Sequence, residues 1–590
     1  MKAIGILLGV ALLTTVAAFL FWNRADPPQV PEPLETASIS GLEKMLAEAE
    51  LDPARQKLIW DCEHMAFELE ARFGKEFTRL LQARDKETLG DFFQEDFAGE
   101  FLAVAEGTQR DKAGLVERRG ERGSVAVTAV DAQGMIDLLL EHLQAFHVIE
   151  RRTLRVLSID PLDREEGAWK ADVLLGFAGE SEARQRLEFE SIQRIEFQIQ
   201  DEKKLTNLEV ISRWYTDTVV VRSVPAGLFA EATEAYGLAE LKIEDNWDLP
   251  ADHPANQYHF QTAVADYDRD GHLDIAVAME GKPLLLHSVD GKRFEDVTRQ
   301  ALLSTWLSDS FMTSWIDFDN DGYPDLLMGD RLYRNVEGTH FVNVTSRSGI
   351  GFGRRPMGCL IADYNCDGWL DLYVLYQHPE VPPQMEHMPW VGDEETGAEN
   401  QLWRNDGEGR FTNVTKLAGA GGNKKRSFAG CWFFLDDDHY PDLYVANDFG
   451  KNVVLQNLGD GTFADVTEQA QVGDYATSMG VAAGDLDNDG QSEIYVANMF
   501  SKMGRRIIGH VGESDYPAGV FADIQGSCAG NRLYRCDLGS TDFVEISEAA
   551  GVNPVGWAHA PAMADFDADG QLDLYATAGF LSFSRKKPDG

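Results

Sequence analysis

Basic residues are what this 590-residue chain is shortest of. Its 53 Lys and Arg face 98 Asp and Glu, a formal net charge of −45. Nucleic acid is thereby excluded as an expected partner, because phosphate binding needs clusters of lysine and arginine. Cysteine is sparse as well, with six in the whole chain. That number fits an oxidising compartment without demanding disulfides. Cys528 and Cys536 are close enough in sequence to bridge, whereas Cys62 reads as a helix core residue. Catalytic signatures are missing too: there is no G-x-S-x-G and no H-E-x-x-H. Gly349-Ile350-Gly351-Phe352-Gly353 runs into Arg354-Arg355-Pro356 rather than a helix, and the glycines of 419–425 lack the spacing of a phosphate loop.

Long apolar runs are almost absent. The exception is Ile4 to Trp22, which follows Lys2. Its length sits between a secretory core of ~7–15 residues and a membrane span of ~18 or more. Val16-Ala17-Ala18 offers small residues for cleavage. Residues 1–24 are therefore read as a signal peptide or, by preference, a retained membrane anchor, and either places the remainder outside the cytoplasm. Pro27, Pro28, Pro31 and Pro33 make 25–39 a stiff linker.

What the chain has in quantity is one acidic phrase. Asp485-Leu486-Asp487-Asn488-Asp489-Gly490 runs on to Glu493. The same D-x-D-x-D-G pattern appears at Asp266, Asp268 and Asp270 with Asp274, and at Asp317, Asp319 and Asp321 with Asp325. It recurs at Asp363, Asn365 and Asp367 with Asp371, and at Asp565, Asp567 and Asp569 with Asp573. A worn copy has Asp436, Asp438 and Asp442, but Phe434 replaces the first acid and His439 the glycine. Acids at alternate positions, a turn glycine and a ninth acid form an oxygen cage suited to a hard cation. Packing these carboxylates together without a cation is costly. Five structural Ca²⁺ sites are expected, with the worn loop empty. An EF-hand is excluded: it needs an acid at position twelve between two helices, and here Val277, Met328, Val374, Val496 or Ala576 stands there in a strand-like run.

The phrase also sets the architecture. Asp52-Pro53 opens a helix whose apolar residues Leu58, Cys62, Met65, Leu69, Phe73, Phe77 and Leu80 step by three or four. A second helix holds Met135, Leu139 and Leu143. From Thr153 the period becomes two, giving strands at 154–158, 169–177, 187–198 and 205–214. Residues 40–215 are thus expected to form a smaller α+β domain, similar in outline to cone-shaped NTF2-like domains. Trp169, Phe177 and Phe197 are read as core aromatics, and His142 and His147 as structural or surface residues.

Beyond that domain the Asp loops start at 266, 317, 363, 434, 485 and 565, and each runs into a β-rich stretch. Between them a second phrase recurs, as in Arg334-Asn335 to Phe341, Arg404-Asn405 to Phe411 and Gln456-Asn457 to Phe463. That is strand, turn, strand. A hairpin phrase at Val219–Thr233 precedes the first Asp loop, and none follows the last. The two ends are complementary halves of one unit. A mainly β, six- or seven-bladed β-propeller over 216–585 is expected, closed by pairing its two ends.

These loops resemble the FG-GAP/VCBS repeat family, whose calcium loops also occur in the integrin α propeller. Ser478 to Gly484 before a loop, and Ile494 to Phe500 after it, look like the cartilage acidic protein and UnbV-associated branch. Two departures stand out: no ASPIC/UnbV module follows the repeats in this sequence, and an α+β domain precedes them. The resemblance implies a propeller with structural calcium. The function expected is an extracytoplasmic, membrane-tethered scaffold for adhesion that binds a protein or glycan partner. The alternative is a cell-envelope enzyme working in the propeller funnel or the N-terminal domain. No catalytic residues are assigned. Two insertions lengthen the repeat, Gln377–Glu399 with His378, Glu380, Glu386, His387 and Trp390, and Ser501–Gly530 with Arg505, Arg506, His510, Asp515 and Tyr516. Both are expected chiefly as loose decoration. Asn343 and Asn413 match the glycosylation sequon but fall within the repeat phrase as strand residues.

Overall fold

The structure is a computed structural model. It describes residues 52–578 apart from 105–107, 110–113, 165, 200–209, 226–228, 242–259, 280–281, 304–311, 354–355, 378–396, 517–518 and 538. The apolar run at 4–22, the proline linker, and His378, Glu380, Glu386, His387 and Trp390 of the first insertion lie outside the described residues. Among the described residues no helix is long and apolar enough to cross a membrane.

The N-terminal domain begins at the expected cap. The Asp52 carboxylate accepts from the N–H groups of Ala54 (3.0 Å) and Arg55 (3.1 Å), and Pro53 sits where its missing N–H costs nothing. The helix Pro53–Glu68 passes through a π-helical turn, Leu69–Gly74, into a second segment, Lys75–Ala83. Gly74 permits this close packing, because a Cβ there would stand 3.0 Å from that of Leu154. Four antiparallel strands follow in meander order: Val148–Asp163, Ala168–Glu180, Arg186–Gln198 and Ile211–Val224. Alternation puts Trp169, Ala171, Val173, Leu175 and Phe177 inside, against Phe73, Phe77 and Leu139 of the helices. The expected core aromatics are therefore core. His142 is buried between the rings of Phe101 and Phe189, and that burial lowers its pKa.

Ile211–Val224 runs past the boundary expected at 215. Its residues Val219, Val220 and Val221 pair with Ser191, Glu190 and Phe189. The β-branched run at 219–221 extends this sheet, so the hairpin phrase expected at Val219–Thr233 does not start there.

From Phe260 the chain becomes a row of antiparallel meanders. The first has strands Phe260–Ala265, Asp274–Met279, Lys282–Val289 and Arg293–Asp296. The second has Thr313–Ile316, Asp325–Met328, Arg331–Val336 and His340–Asn343. The third has Gly358–Ala362, Asp371–Leu375, Gln401–Asn405 and Phe411–Asn413. The fourth (Ser427–Phe433, Asp442–Lys451, Val453–Asn457, Phe463–Asp465) and the fifth (Tyr475–Gly484, Glu493–Asn498, Arg532–Cys536, Phe543–Glu545) are joined where Asp448 and Lys451 pair with Thr477 and Tyr475. The last sheet has two described strands, Ala558–Ala564 and Asp573–Ala578. The fold is mainly β, and the first strands of successive sheets lie side by side along the row.

Two repeated contacts stitch neighbouring sheets. The Asn that follows the third-strand Arg or Gln donates to a carbonyl in the preceding sheet's Asp loop. Asn335 reaches Tyr267 O (2.8 Å), Asn405 reaches Phe318 O (2.9 Å) and Asn457 reaches Tyr364 O (2.7 Å). The fourth-strand Phe then packs on that same loop residue, with ring centroids 5.7 Å apart for Phe341 and Tyr267 and 5.8 Å for Phe463 and Tyr364. The row does not simply stop at its ends. Phe229 lies 5.5 Å from Phe566 and 5.4 Å from Tyr575 of the last sheet. A few residues on, Tyr236 meets Phe294, and Leu238 and Leu241 pack on the first sheet.

Asn405 is fully buried, and its amide also donates to Leu370 O (3.2 Å). Replacing it with Ala strands two buried carbonyls, a cost of about 1–3 kcal/mol. Asn405→Ala should lower the denaturant midpoint accordingly with the slope unchanged. An unaltered midpoint would show that the bridge adds no stability.

Candidate metal centres

Each complete Asp loop is built by its own first acid. In the second loop Asp317 accepts from the N–H groups of Asp321 (3.1 Å) and Gly322 (3.0 Å). The same pair of bonds recurs from Asp266, Asp363, Asp485 and Asp565. The turn needs two left-handed residues. Position six is glycine, with φ of 86–96° across the five loops. Position four is not glycine, yet Arg269, Asn320, Cys366, Asn488 and Ala568 all have φ of 55–62°. The worn loop has neither feature: Asp437 and His439 lack positive φ, and Phe434 is 52% exposed in place of the first acid.

Carboxylate oxygens come within 4.8 Å of one another in four loops: Asp266, Asp268 and Asp270; Asp317, Asp319 and Asp325; Asp485, Asp487 and Glu493; and Asp565, Asp567 and Asp569. In the third loop Asn365 takes one place and donates to Asp367 (2.8 Å). Position twelve lies in a strand in every complete loop, as expected. The fit to a cation can be judged from the donors themselves. One oxygen each of Asp319, Glu493 and Asp567 is buried with no hydrogen-bond partner. An anionic oxygen out of water and without a donor is a large penalty unless a cation faces it. The sets at these loops fit Ca²⁺.

The ninth residue does more than line the cage. Asp325 accepts from Phe318 N (3.1 Å) with one oxygen and from Asn335 N (2.6 Å) with the other. Asp274, Asp371 and Asp442 repeat both bonds, the last of them in the worn loop. Glu493 and Asp573 keep the first, to Leu486 N (2.7 Å) and Phe566 N (3.1 Å).

Sequence reasoning passed over a further contributor, the residue just before the bridging Asn or Ser. His287 Nδ1 is 3.1 Å from Asp274 and 3.4 Å from Asp268. Arg334 forks onto Asp319 and Asp321, and Gln456 donates to Asp436 (2.7 Å). The recurring Arg-Asn and Gln-Asn pairs of the hairpin phrase carry that signal. A cation entering the second cage competes with Arg334.

A separate set of polar and charged groups meets at the opposite ends of the first strands. Arg426 precedes the fourth sheet, Asp448 lies in the later part of its second strand, Gln377 follows the second strand of the third sheet and Tyr475 opens the fifth. Gln377 donates to Asp448 at 3.3 Å. Burial raises the Asp448 pKa to about 7, with Arg426 and Gln377 pulling it down. The loop leading in is strained, since Gly422, Asn423 and Lys424 have φ of 68°, 61° and 53° in succession. The proposed bridge between Cys528 and Cys536 does not form; both thiols are free and separately buried. Cys528 packs against Met479 and Met499, whereas Cys536 occupies the third-strand place that Asn335, Asn405 and Asn457 hold in other sheets.

This arrangement of Asp loops between the first two strands of repeated meanders defines a class of repeat protein. The chain carries FG-GAP-like repeats, matched by the family model at residues 266–328, 317–374 and 435–496. It is similar to cartilage acidic protein 1 of Homo sapiens, at 24% identity over 396 residues covering 56% of this chain and 58% of that protein. The protein of the same name from Mus musculus matches at 24% over 401 residues, covering 56% and 59%. The chain thus spans under two thirds of the length of these relatives. Among solved structures, an Agrocybe aegerita lectin that recognises non-reducing terminal N-acetylglucosamine overlaps at 13% identity and a TM-score of 0.31, covering 83% of this chain and 98% of the lectin. The V. cholerae biofilm matrix protein Bap1 overlaps at 12% identity and 0.24, covering 41% and 35%. Overlaps this loose carry no argument about what this chain binds.

Burial pushes the Asp325 pKa to about 8 and those of Asp371, Asp442 and Glu493 to about 7, with backbone donors pulling the other way. In the unfolded chain these acids titrate near ~4. Between those limits the cation-free folded chain holds more protons, so its stability falls as pH rises. In chelator, the melting temperature should drop from pH 5 to pH 8, and Asp325→Asn should shrink that drop. A melting temperature that climbs across the interval would contradict the burial argument.

Proposed function

We propose that this chain is a calcium-stabilised, closed β-propeller of six blades that serves outside the cytoplasm as an interaction scaffold, tethered through its N-terminal segment and binding a protein or glycan. The observation that carries the reading is the repeated Asp loop, in which the fold gathers carboxylate oxygens within 4.8 Å at four loops. Ring closure is supported by Phe229, which approaches the last sheet, while the residues just after it pack on the first. The location is supported by the similarity to cartilage acidic protein 1 and by the apolar N-terminal run.

Extracellular calcium modules bind at ~10⁻⁴–10⁻³ M. At millimolar calcium and a dissociation constant of ~0.1 mM, each site adds ~1.4 kcal/mol. Calcium therefore acts on stability, and the chain's other surfaces meet the partner. A calcium titration followed by thermal melting tests this. The melting temperature should rise over the millimolar range and fall back in chelator, with a smaller rise for Asp487→Asn. No rise in the intact chain would remove calcium from the reading.

An envelope enzyme is the second reading. What favours it is the meeting of Gln377, Arg426, Asp448 and Tyr475 from three sheets. A hydrolytic activity on envelope glycans that vanishes in Asp448→Asn, with folding intact, would move the assignment there.

A further inference from the structure

The second insertion, expected as loose decoration, is two helices wedged between the N-terminal domain and the row of sheets. The first, Lys502–Ile508, is capped by Ser501, whose hydroxyl accepts from Gly504 N (3.0 Å). It carries Arg506 into the N-terminal domain. Nε of Arg506 donates to Glu63 Oε1 (2.9 Å), Nη2 to Glu63 Oε2 (2.6 Å) and Nη1 to Val156 O (3.1 Å). Both side chains are almost sealed, at 8% and 3% exposure. Arg55 pairs with Asp515 at the margin. The second helix, Val520–Cys528, lies on the opening of the fifth sheet. There a Cβ on Gly526 would stand 2.1 Å from Tyr475 O, and Cys528 packs against Met479. The two helices leave each other no slack either, because a Cβ on Gly504 would stand 2.6 Å from Cys528 Sγ.

A seven-residue helix has little stability of its own, so its position is set by what grips it. A buried ion pair adds little net stability, but breaking one side of it leaves a charge out of water; without Glu63, Arg506 keeps only the more distant and partly exposed Glu70 carboxylate, 3.8 Å away. The grip is therefore specific and brittle. Close contacts with no free volume pass displacement along rather than absorb it. They run here from Glu63 through Arg506, Gly504 and Cys528 to Tyr475.

We propose that the 501–530 insertion is a coupling arm: the N-terminal domain holds it through Arg506, its second helix covers the Tyr475 end of the fifth sheet's first strand, and displacing the N-terminal domain lifts that helix and uncovers the Gln377–Arg426–Asp448–Tyr475 cluster. The arm makes access to this cluster depend on how the N-terminal domain sits.

The buried Cys528 is a built-in reporter. Thiol labelling resolved by peptide mass spectrometry, together with hydrogen exchange, should be followed in the full chain for Arg506→Met, Glu63→Gln and the double change Glu63→Met with Arg506→Met. Either single change should raise Cys528 labelling roughly tenfold or more and release protection at 475–479, as expected of a local opening. The double change should restore most of both. Cys359 and Cys431 should keep their wild-type rates, showing that the sheets are intact. Should the single variants fail to fold, Asp515→Asn loosens only the marginal pair and should give a smaller rise at the same sites. Increased labelling of Cys62 with Cys528 and 475–479 still protected would overturn the coupling. So would unchanged labelling everywhere.

Discussion

The ninth-position carboxylate is the contact on which each repeat depends. In the first five sheets it is buried at the start of the second strand, and in all six it accepts from the backbone of the loop that precedes it; in the first four it also accepts from the third strand. Such a side chain is costly to bury, and the backbone donors are what offset that cost. The worn fourth loop separates this role from metal binding. There the first acid and the glycine are gone, and so are the left-handed turns, yet Asp442 keeps both bonds, at 2.8 Å and 2.7 Å. A repeat can lose its cage and keep its staple. The acidic cage is layered on an acid that the sheet needs in any case.

The alternation of the sheets and the Asp loops was legible from spacing because both follow from local rules. Period two marks strands buried on one face, and glycine at position six marks a left-handed turn. The φ at position four was not legible, since Arg, Asn, Cys and Ala share no turn preference and the first acid imposes the conformation through its bonds. The third-strand partners of the cage were hidden for a different reason. His287, Arg334 and Gln456 differ chemically and meet the acids only when the third strand folds back. The domain boundary was misplaced because the valine run at 219–221 carries the same period on both sides of it.

The second insertion was least legible, and for a physical reason. Apolar periodicity is weak in helices of seven and nine residues. Arg506 and Glu63 are 443 positions apart, so no local pattern links them. A lone arginine in an acidic chain reads as solvated charge until the surface that buries it is known. The Gln377–Arg426–Asp448–Tyr475 cluster escaped for the same reason, with its members drawn from three sheets.

The bridging Asn has a consequence for the order in which the chain assembles. Asn335, Asn405 and Asn457 each reach back to the sheet made just before, so the second, third and fourth sheets each find a docking surface finished when they leave the ribosome. Contacts of this kind are short in sequence for so large a β-structure, and they favour growth from the first sheet outward. Two contacts cannot form that way. Phe229 must wait for Phe566, and Glu63 must wait for Arg506. Until then, the N-terminal domain carries a buried-type acid with no cation to meet it. The late part of the fold is thus registered at its early part, and the N-terminal domain reaches its final seat only after the helix inserted between the second and third strands of the fifth sheet has been synthesised.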